Sequence, residues 1–231
     1  MASAISPQGD LFRSLESLYK TGIYSDLRIF SLTKSYLVHR AIVCPRSDFL
    51  AAACRSPLKE AADGAISLPD DEPLVIDMMI QYFYLLDYQQ SHYSDSTSQP
   101  PELEHTNSTH ISCLLLHAKV YAAAEKYAIG GLKDLAVAKF KTSAIQNWDP
   151  TAFLDAASEA YTSTIDTDRG LRDAVIEVFA AHKDLLHEDE AKVVVERLGP
   201  LGYDLLVYLH RRGNLPLHKG TNLGTKFSRL Y

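Results

Sequence analysis

The sequence predicts an α+β protein, in which a small sheet of short strands lies among helices and a region of helices alone follows. Apolar and polar residues alternate in three short runs between Leu27 and Leu68, as expected for half-buried strands. Helical segments separate the second run from the third, and from Leu114 onward the apolar residues recur at helical spacing. Strands confined to one part of the chain and helices that dominate the remainder are typical of the α+β class.

The first predicted helix carries an apolar stripe. The segment DLFRSLESLYK begins at Asp10, after a nine-residue N-terminal segment, and places Phe12, Leu15 and Leu18 on one face. Gly22 is expected to end this helix, because glycine readily adopts the left-handed conformation found at helix C-termini. An exposed apolar stripe usually finds a partner surface. These three residues therefore predict a dimer interface.

The strands and the short helices between them follow. Strands are predicted over residues 27–31 and 35–39, around a turn, and over residues 65–68. A helical turn after the second strand is stopped by Pro45, because the residue before a proline avoids the α region. Ser47 is a suitable N-cap for a helix over residues 48–54. We expect each buried side chain of this region to contribute about 1.5–3 kcal/mol, and the side chains expected in the core are Leu27, Ile29, Leu37 and Ile42.

A longer apolar helix is predicted from Leu74 to about Leu86. The acidic residues just before it lie at the positive end of the helix dipole, which stabilises them. Residues 88–112 are polar and rich in turn formers, and they lack helical or strand periodicity. This pattern predicts an insertion loop within the domain.

Helices are predicted beyond the insertion. The segment LLLHAKVYAAAEKYAIGGLKDLAVAKFKTSAI predicts two helices with a break at Gly130-Gly131, where a glycine would supply the left-handed residue of a C-cap. Residues 150–212 are then predicted to form a helical extension, with helices over residues 151–163, 169–183, 190–198 and 203–211. Residues 213–231 are predicted to be a basic, flexible tail.

The charges are unevenly distributed. The net charge is −6, and this argues against nucleic acid as a direct partner. Ten acidic residues and no Lys or Arg lie between Lys59 and Lys119, whereas residues 205–231 contain five basic residues and no acid. This arrangement suits contacts with proteins of complementary charge, and the alternative is a solvated acidic loop with a loose end.

The composition also predicts a compartment. No apolar run approaches the roughly 18 residues of a membrane span, and the N-terminus lacks the pattern of a secretory signal. The three cysteines are odd in number and lack close spacing, which favours a reducing environment. We therefore expect an intracellular protein of the cytoplasm and/or nucleus, without contact with a membrane.

Motifs for catalysis and metal binding are absent from the sequence. His39, Cys44 and Cys54 do not have metal-ligand spacing, Cys44 is expected to be an ordinary buried side chain, and a faint phosphate-loop pattern over residues 220–226 follows no strand. Asp26 and His39 could pair as an acid–base dyad, but no third polar group points to a substrate. The sequence predicts no catalytic residue, metal, cofactor or small-molecule substrate.

Several motifs, taken in order, resemble the core of a BTB/POZ domain, and the resemblance covers about residues 10–143. The motifs are SDLRI from Ser25, YLVHRAIV from Tyr36, RSDFL from Arg46, KEA from Lys59, ISLPDD from Ile66, YFY from Tyr82 and LHAKVYAAAEKYAIGGLKDLA from Leu116. The insertion over residues 88–112 departs from the short turn of many relatives. Residues 151–209 are similar to the helical tails of filamentous-fungal members, so the resemblance implies a BTB/POZ fold with an all-helical C-terminal extension.

The resemblance also implies a function. It implies a homodimer, with Asp26, His39 and Arg40 close together near the subunit interface or its pocket. Family members that dock onto a cullin scaffold present a hydrophobic residue, any residue and then Glu after a short helix. Leu58-Lys59-Glu60 matches this pattern, and Phe49 on that helix joins the implied docking surface. The chain is then expected to be a substrate adaptor of a cullin-based ubiquitin ligase. The alternative is a scaffold that dimerises, or recruits transcription or chromatin partners, without a cullin.

Overall fold

The computed structural model describes residues 6–55, 64–89 and 111–212, and within them the predicted α+β organisation is confirmed. A three-stranded sheet lies in the first part of the chain, and the region after residue 111 is helical. Leu58, Glu60, most of the predicted insertion and the predicted tail lie outside the described residues.

The first helix, α1 (Pro7–Thr21), begins earlier than predicted. The Ser6 hydroxyl accepts a hydrogen bond from the Gly9 backbone N–H at 3.1 Å, and Pro7 is tolerated because the first N–H groups of a helix have no partner within it. The predicted start at Asp10 is therefore wrong. Gly22 ends the helix as predicted, with a left-handed φ of 64° and its N–H donated to the Leu18 carbonyl.

The sheet has the order β2-β1-β3, with β1 (Leu27–Phe30) in the centre. It pairs antiparallel with β2 (Ser35–Val38) and parallel with β3 (Ala65–Ser67). Leu27 and Ile29 face the core as predicted. Leu37 lies opposite Arg28 on the other face and is 46% exposed, so its predicted burial is wrong, and Ile42 is only half-buried. The physical reason for Leu37 is the two-residue period of a strand, which places it opposite in direction to the buried Val38.

Three helical elements lie between β2 and β3 in the described part of the chain. They are α2 (Arg40–Val43), a 3₁₀ turn (Cys44–Arg46) and α3 (Asp48–Arg55). Ser47 caps α3 as predicted, since its hydroxyl accepts from the Leu50 N–H at 3.1 Å and donates to the Tyr127 carbonyl at 2.7 Å. The core helix α4 (Pro73–Leu85) packs against α1, and its buried side chains are Val75, Ile76, Met78, Met79, Ile80, Phe83 and Tyr84.

The next two helices, α5 (Cys113–Lys126) and α6 (Gly130–Gln146), are separated by a break that differs from the prediction. The left-handed residue of the break is Ala128, with φ 53°, whereas Gly130 begins α6. Gly131 has a different role, because a Cβ atom there would lie 2.2 Å from the Tyr82 hydroxyl oxygen. Gly131 thus marks a close approach of two helices, and the predicted glycine C-cap is wrong.

Helix α7 (Pro150–Ser163) packs along α5, and α8 (Arg169–Ala181) follows it. The chain divides into two compact units, residues 1–175 and residues 176–231. In the second unit α8 ends before residue 183, and a 3₁₀ turn (Lys183–His187), α9 (Asp189–Arg197) and α10 (Gly199–Arg211) follow. Helix α10 begins four residues before the predicted position, with Pro200 in the first turn where a missing N–H costs nothing.

Candidate interaction surfaces

Asp26, His39 and Arg40 come together at the start of α2. The Asp26 carboxylate accepts from the Arg40 backbone N–H at 2.7 Å and so caps this helix. The His39 side chain is buried, with Nε2 2.7 Å from the Ile23 carbonyl and Nδ1 2.7 Å from the Tyr84 hydroxyl. A carbonyl can only accept, so Nε2 carries a proton, and in the neutral ring Nδ1 accepts from the Tyr84 hydroxyl.

The hydrogen bonds of His39 connect three segments of the domain: the end of strand β2, the turn after α1 and helix α4. The Tyr84 hydroxyl also accepts from the His39 backbone N–H at 3.0 Å, and burial raises the pKa of Tyr84 to about 12. Both ring nitrogens of His39 are bonded within the domain, and neither bond is to Asp26. Asp26 and His39 therefore do not form the acid–base pair that their positions in the sequence suggested.

The outer face of the sheet exposes two apolar side chains whose exposure was not predicted. Phe30 is 38% exposed and Leu37 is 46% exposed. Both residues line a shallow depression of about 390 Å³ that also includes Asp26 and Arg28. The signal was present in the alternation of Ser35–Val38, in which two adjacent apolar residues must point to opposite faces.

The predicted dimer stripe on α1 divides into an open part and a covered part. Phe12 is 45% exposed, and its neighbour Leu11 is 60% exposed. Leu15 and Leu18 are half-buried, and the Tyr19 ring on the same helix lies 5.8 Å from the Tyr84 ring of α4. No residue of α1 is fully buried, and the exposed large apolar side chains of this helix are Leu11 and Phe12.

Phe49 lies on α3 with 41% of its surface exposed, although its ring is held in place. It packs edge-on against the Tyr127 ring, with the ring centroids 5.0 Å apart. Tyr127 donates its hydroxyl to Asp71, and Lys126 donates to the same carboxylate at 2.8 Å. The aromatic side chain is thus presented on a fixed support, while the other predicted docking residues, Leu58 and Glu60, lie outside the described residues.

A polar groove of about 520 Å³ continues from this support. Two ion pairs cross it, between Lys126 and Asp71 and between Lys119 and Glu72. The remaining charged side chains of the lining are acidic, and the charged residues that line the groove are Asp70, Asp71, Glu72, Lys119, Lys126 and Glu159. The groove beside Phe49 therefore has an excess of negative charge.

A second polar cluster fixes the loop between α7 and α8, and no sequence pattern indicated it. The Asp168 carboxylate accepts from the Tyr121 hydroxyl at 2.5 Å and from the Lys133 ammonium at 2.9 Å. Burial alone would raise the pKa of Asp168, but these two hydrogen bonds outweigh it and hold the pKa below its usual value. Burial, with the bond to Asp168, raises the pKa of Tyr121 to about 12. Side chains from α5 and α6 thus hold the loop in place.

Arg172 holds the same loop from the other side and is 2% exposed. Its guanidinium donates to the Thr164 hydroxyl at 2.9 Å, to the Thr164 carbonyl at 2.5 Å and to Asp166 at 2.6 Å. It also lies 4.7 Å from the centre of the Tyr161 ring. A buried arginine is stable only with such partners.

The end of α4 carries a third cluster, around His117. Tyr88, which the sequence placed in the insertion, is buried, and its hydroxyl lies 2.9 Å from His117 Nδ1. Burial, together with the Lys139 charge, lowers the pKa of His117 to about 4. Lys139 in turn pairs with Asp87 at 2.8 Å. At neutral pH the histidine is uncharged, and its environment is that of a packed side chain.

Within residues 6–55, 64–89 and 111–212, no three His, Cys, Asp or Glu side chains are grouped so as to hold a metal ion. His92, His105 and His110 lie outside these ranges. None of the helices in the described part of the chain has the length and apolar character that crossing a membrane requires.

No model of a protein family matches the chain, and no curated protein is similar to it. The BTB/POZ resemblance therefore stays a prediction from the motifs.

Proposed function

We propose that this chain is a non-enzymatic protein-interaction module of the BTB/POZ kind, which self-associates through α1 and acts as a substrate adaptor for a cullin-based ubiquitin ligase. The observation that carries the proposal is α1 itself, a helix of 15 residues without a single fully buried side chain. Leu11 and Phe12 present apolar area that water solvates poorly, and a second copy of the same helix would cover it.

The Phe49 surface supports the second half of the proposal. Energetically important interface residues are commonly aromatic side chains held in place within a polar rim. Phe49 fits this description, because Tyr127 holds its ring and Asp71, which accepts from the Tyr127 hydroxyl, lines the acidic groove. A fixed side chain loses little entropy on binding. A partner helix with apolar and basic side chains would complement this surface.

Self-association is tested by sedimentation equilibrium at concentrations up to tens of micromolar. We expect the native chain to form dimers, and we expect the double variant Leu11→Glu/Phe12→Glu to sediment as a monomer of 25.7 kDa. Ile145→Glu is the matched control, since Ile145 is 84% exposed on α6 and outside the proposed interface. A native chain that remains monomeric would contradict this part of the proposal.

Docking is tested by titrating the chain with the N-terminal domain of a cullin. Phe49→Ala should weaken binding by at least about tenfold, as loss of a hot-spot side chain does, while Ile145→Ala leaves it unchanged. Leu58→Asp and Glu60→Ala examine the sequence motif directly. A dimeric chain that binds no cullin would instead favour the scaffold alternative, in which transcription or chromatin proteins are the partners.

A further inference from the structure

Among the described strands, β2 pairs with β1 alone, so its other edge has no neighbouring strand. The Ser31 N–H donates to the Lys34 carbonyl at 2.9 Å, which makes these two residues a hydrogen-bonded pair. Bonded and non-bonded pairs alternate along an antiparallel ladder, so Tyr36 is also bonded to β1. Its neighbours Ser35 and Leu37 therefore direct their backbone N–H and C=O groups away from β1.

The hydrogen bonds around β2 agree with this orientation. The His39 N–H, two positions after Leu37, donates to the Tyr84 hydroxyl of α4 rather than to β1. Within the described part of the chain, no group bonds to the outward backbone groups of Ser35 and Leu37, and both residues are exposed. Each of them offers one donor and one acceptor at a two-residue spacing, so another extended backbone is what complements this edge.

A groove beside this edge indicates which side chains a bound strand would carry. It has a volume of about 410 Å³ and lies between β2 and the last turn of α1, and its size is in the range of pockets that hold ligands. Tyr19, Tyr36 and Ile80 give the lining aromatic and aliphatic groups, and the charged residue of the described lining is Lys20. The ion pair of Lys20 with Glu16 is exposed and therefore weak, so the ammonium group can also contact a carboxylate of a partner.

We propose that the open edge of β2 binds an extended segment of a partner protein, which adds to the sheet as a further strand and carries apolar residues and a carboxylate. In an antiparallel addition, the partner residues opposite Ser35 and Leu37 each exchange two hydrogen bonds with the edge. The side chain opposite Leu37 lies on the outer face of the sheet and covers that exposed leucine. The partner side chain between them points to the inner side and enters the groove. This site uses neither Leu11 and Phe12 nor Phe49, so it does not rest on the function proposed above.

The test is amide hydrogen exchange of the full chain, measured residue by residue by nuclear magnetic resonance. The probe is a short synthetic peptide in which valine and threonine alternate and which ends in a glutamate. In the free chain we expect the Ser35 and Leu37 amides to exchange faster than the Tyr36 amide, which is bonded to β1. Saturating peptide should slow exchange at Ser35 and Leu37 by at least about tenfold. The same peptide methylated on its central backbone nitrogens keeps its side chains but cannot donate to the edge, so it should not bind.

Two proline variants locate the binding edge. Ser35→Pro removes an outward N–H at the first position of an edge strand, where proline is tolerated, and should weaken peptide binding about tenfold. Ser67→Pro is the matched control and should leave binding unchanged. Ser67 is an exposed residue of β3, at the other edge of the sheet, and its N–H also faces away from β1, because the next residue, Leu68, donates to the Phe30 carbonyl.

Three results would overturn the proposal. The native chain could show no protection by the peptide, or the methylated peptide could bind as well as the unmodified one. Protection of the Ser35 and Leu37 amides that rises with protein concentration in the free chain would show that a second copy occupies the edge instead. Because measurements on the native chain decide between these results, a poorly folded Ser35→Pro variant would not obscure the answer.

Discussion

At the scale of single residues, Gly170 at the start of α8 lies against the buried Tyr121 hydroxyl. A Cβ atom at this position would lie 2.6 Å from that oxygen, which the hydrogen bond to Asp168 prevents from moving away. We expect Gly170→Ala to reduce the free energy of unfolding by about 1–3 kcal/mol, the usual cost of overpacking. Urea denaturation measures the change.

Two further variants separate this clash from other effects of the substitution. Gly199→Ala is the matched control, because Gly199 also begins a helix and its Cβ would meet nothing within 4 Å. In the Tyr121→Phe background the obstructing oxygen is gone, so Gly170→Ala should cost less there than in the native chain. Equal costs in both backgrounds would show that the hydroxyl is not the obstacle.

Arg172 and Arg169 lie on the same helix in opposite environments. Arg172 is buried and bonded to Thr164, while the ion pair of Arg169 with Asp173 is exposed to solvent. Arg172→Ala leaves buried acceptors without donors, so we expect a loss of about 2–4 kcal/mol in the free energy of unfolding. Arg169→Ala should change it by less than about 1 kcal/mol. Equal losses in thermal or urea unfolding would contradict the proposed importance of burial.

At the scale of secondary-structure elements, the break between α5 and α6 contains a non-glycine residue in the left-handed conformation. Ala128 is exposed and adopts a φ of 53°, a conformation in which a Cβ atom is strained. We expect Ala128→Gly to raise the free energy of unfolding by about 0.5–1 kcal/mol, despite the greater freedom that glycine gives the unfolded chain. Ala138→Gly, on the exposed face of α6, should lower it by about 1 kcal/mol. A lower melting temperature for Ala128→Gly would contradict this account.

Sequence patterns predicted the elements best where the cause was local. Gly22 and Ser47 act on the backbone within a few residues of themselves, so the end of α1 and the start of α3 were predicted correctly. The role of Gly131 depends on Tyr82, about fifty positions away, and a one-dimensional pattern cannot show such a contact. The same reason explains why the glycine pair was interpreted as a cap.

At the scale of the whole molecule, stability should depend on pH through His117. The pKa of this histidine is about 4 in the folded chain, compared with 6.5 for a solvated histidine, the value expected in the unfolded chain. Between these values the unfolded chain binds a proton that the folded chain does not, so stability is complete above pH 6.5 and falls as the pH decreases toward 4. At about 1.4 kcal/mol per pH unit, the loss is at most roughly 3 kcal/mol.

Urea denaturation at several pH values between 4.5 and 6.5 measures this dependence. The lower limit stays above most of the titration of Asp87 and Asp168, whose pKa values are held below the ordinary range by hydrogen bonds that outweigh burial. His117→Asn retains an acceptor toward Tyr88 and should have a flatter pH dependence than the native chain. His210→Asn, at an exposed position of α10, is the control and should retain the native slope. An unchanged slope in His117→Asn would show that other groups cause the dependence.

The order of strands and helices could be predicted from the sequence, whereas the candidate interaction surfaces could be predicted only in part. Periodicity reports burial, and burial defines strands and helices, so the sheet followed by helices was predicted. The burial of Arg172 arises from packing between elements, which no pattern within one element contains. The exposure of Leu37 depended on the register of the sheet.

The chain contains one tryptophan, Trp148, which can serve as an intrinsic fluorescent probe of folding. Trp148 precedes α7, and its ring lies 5.3 Å from the buried Phe153 ring. Since an indole responds to its immediate surroundings, emission excited at tryptophan wavelengths reports on the junction of α6 and α7 alone. Unfolding of this junction can be followed in the unlabelled native chain, and a dye attached at exposed Cys113 would add a second optical signal from the start of α5.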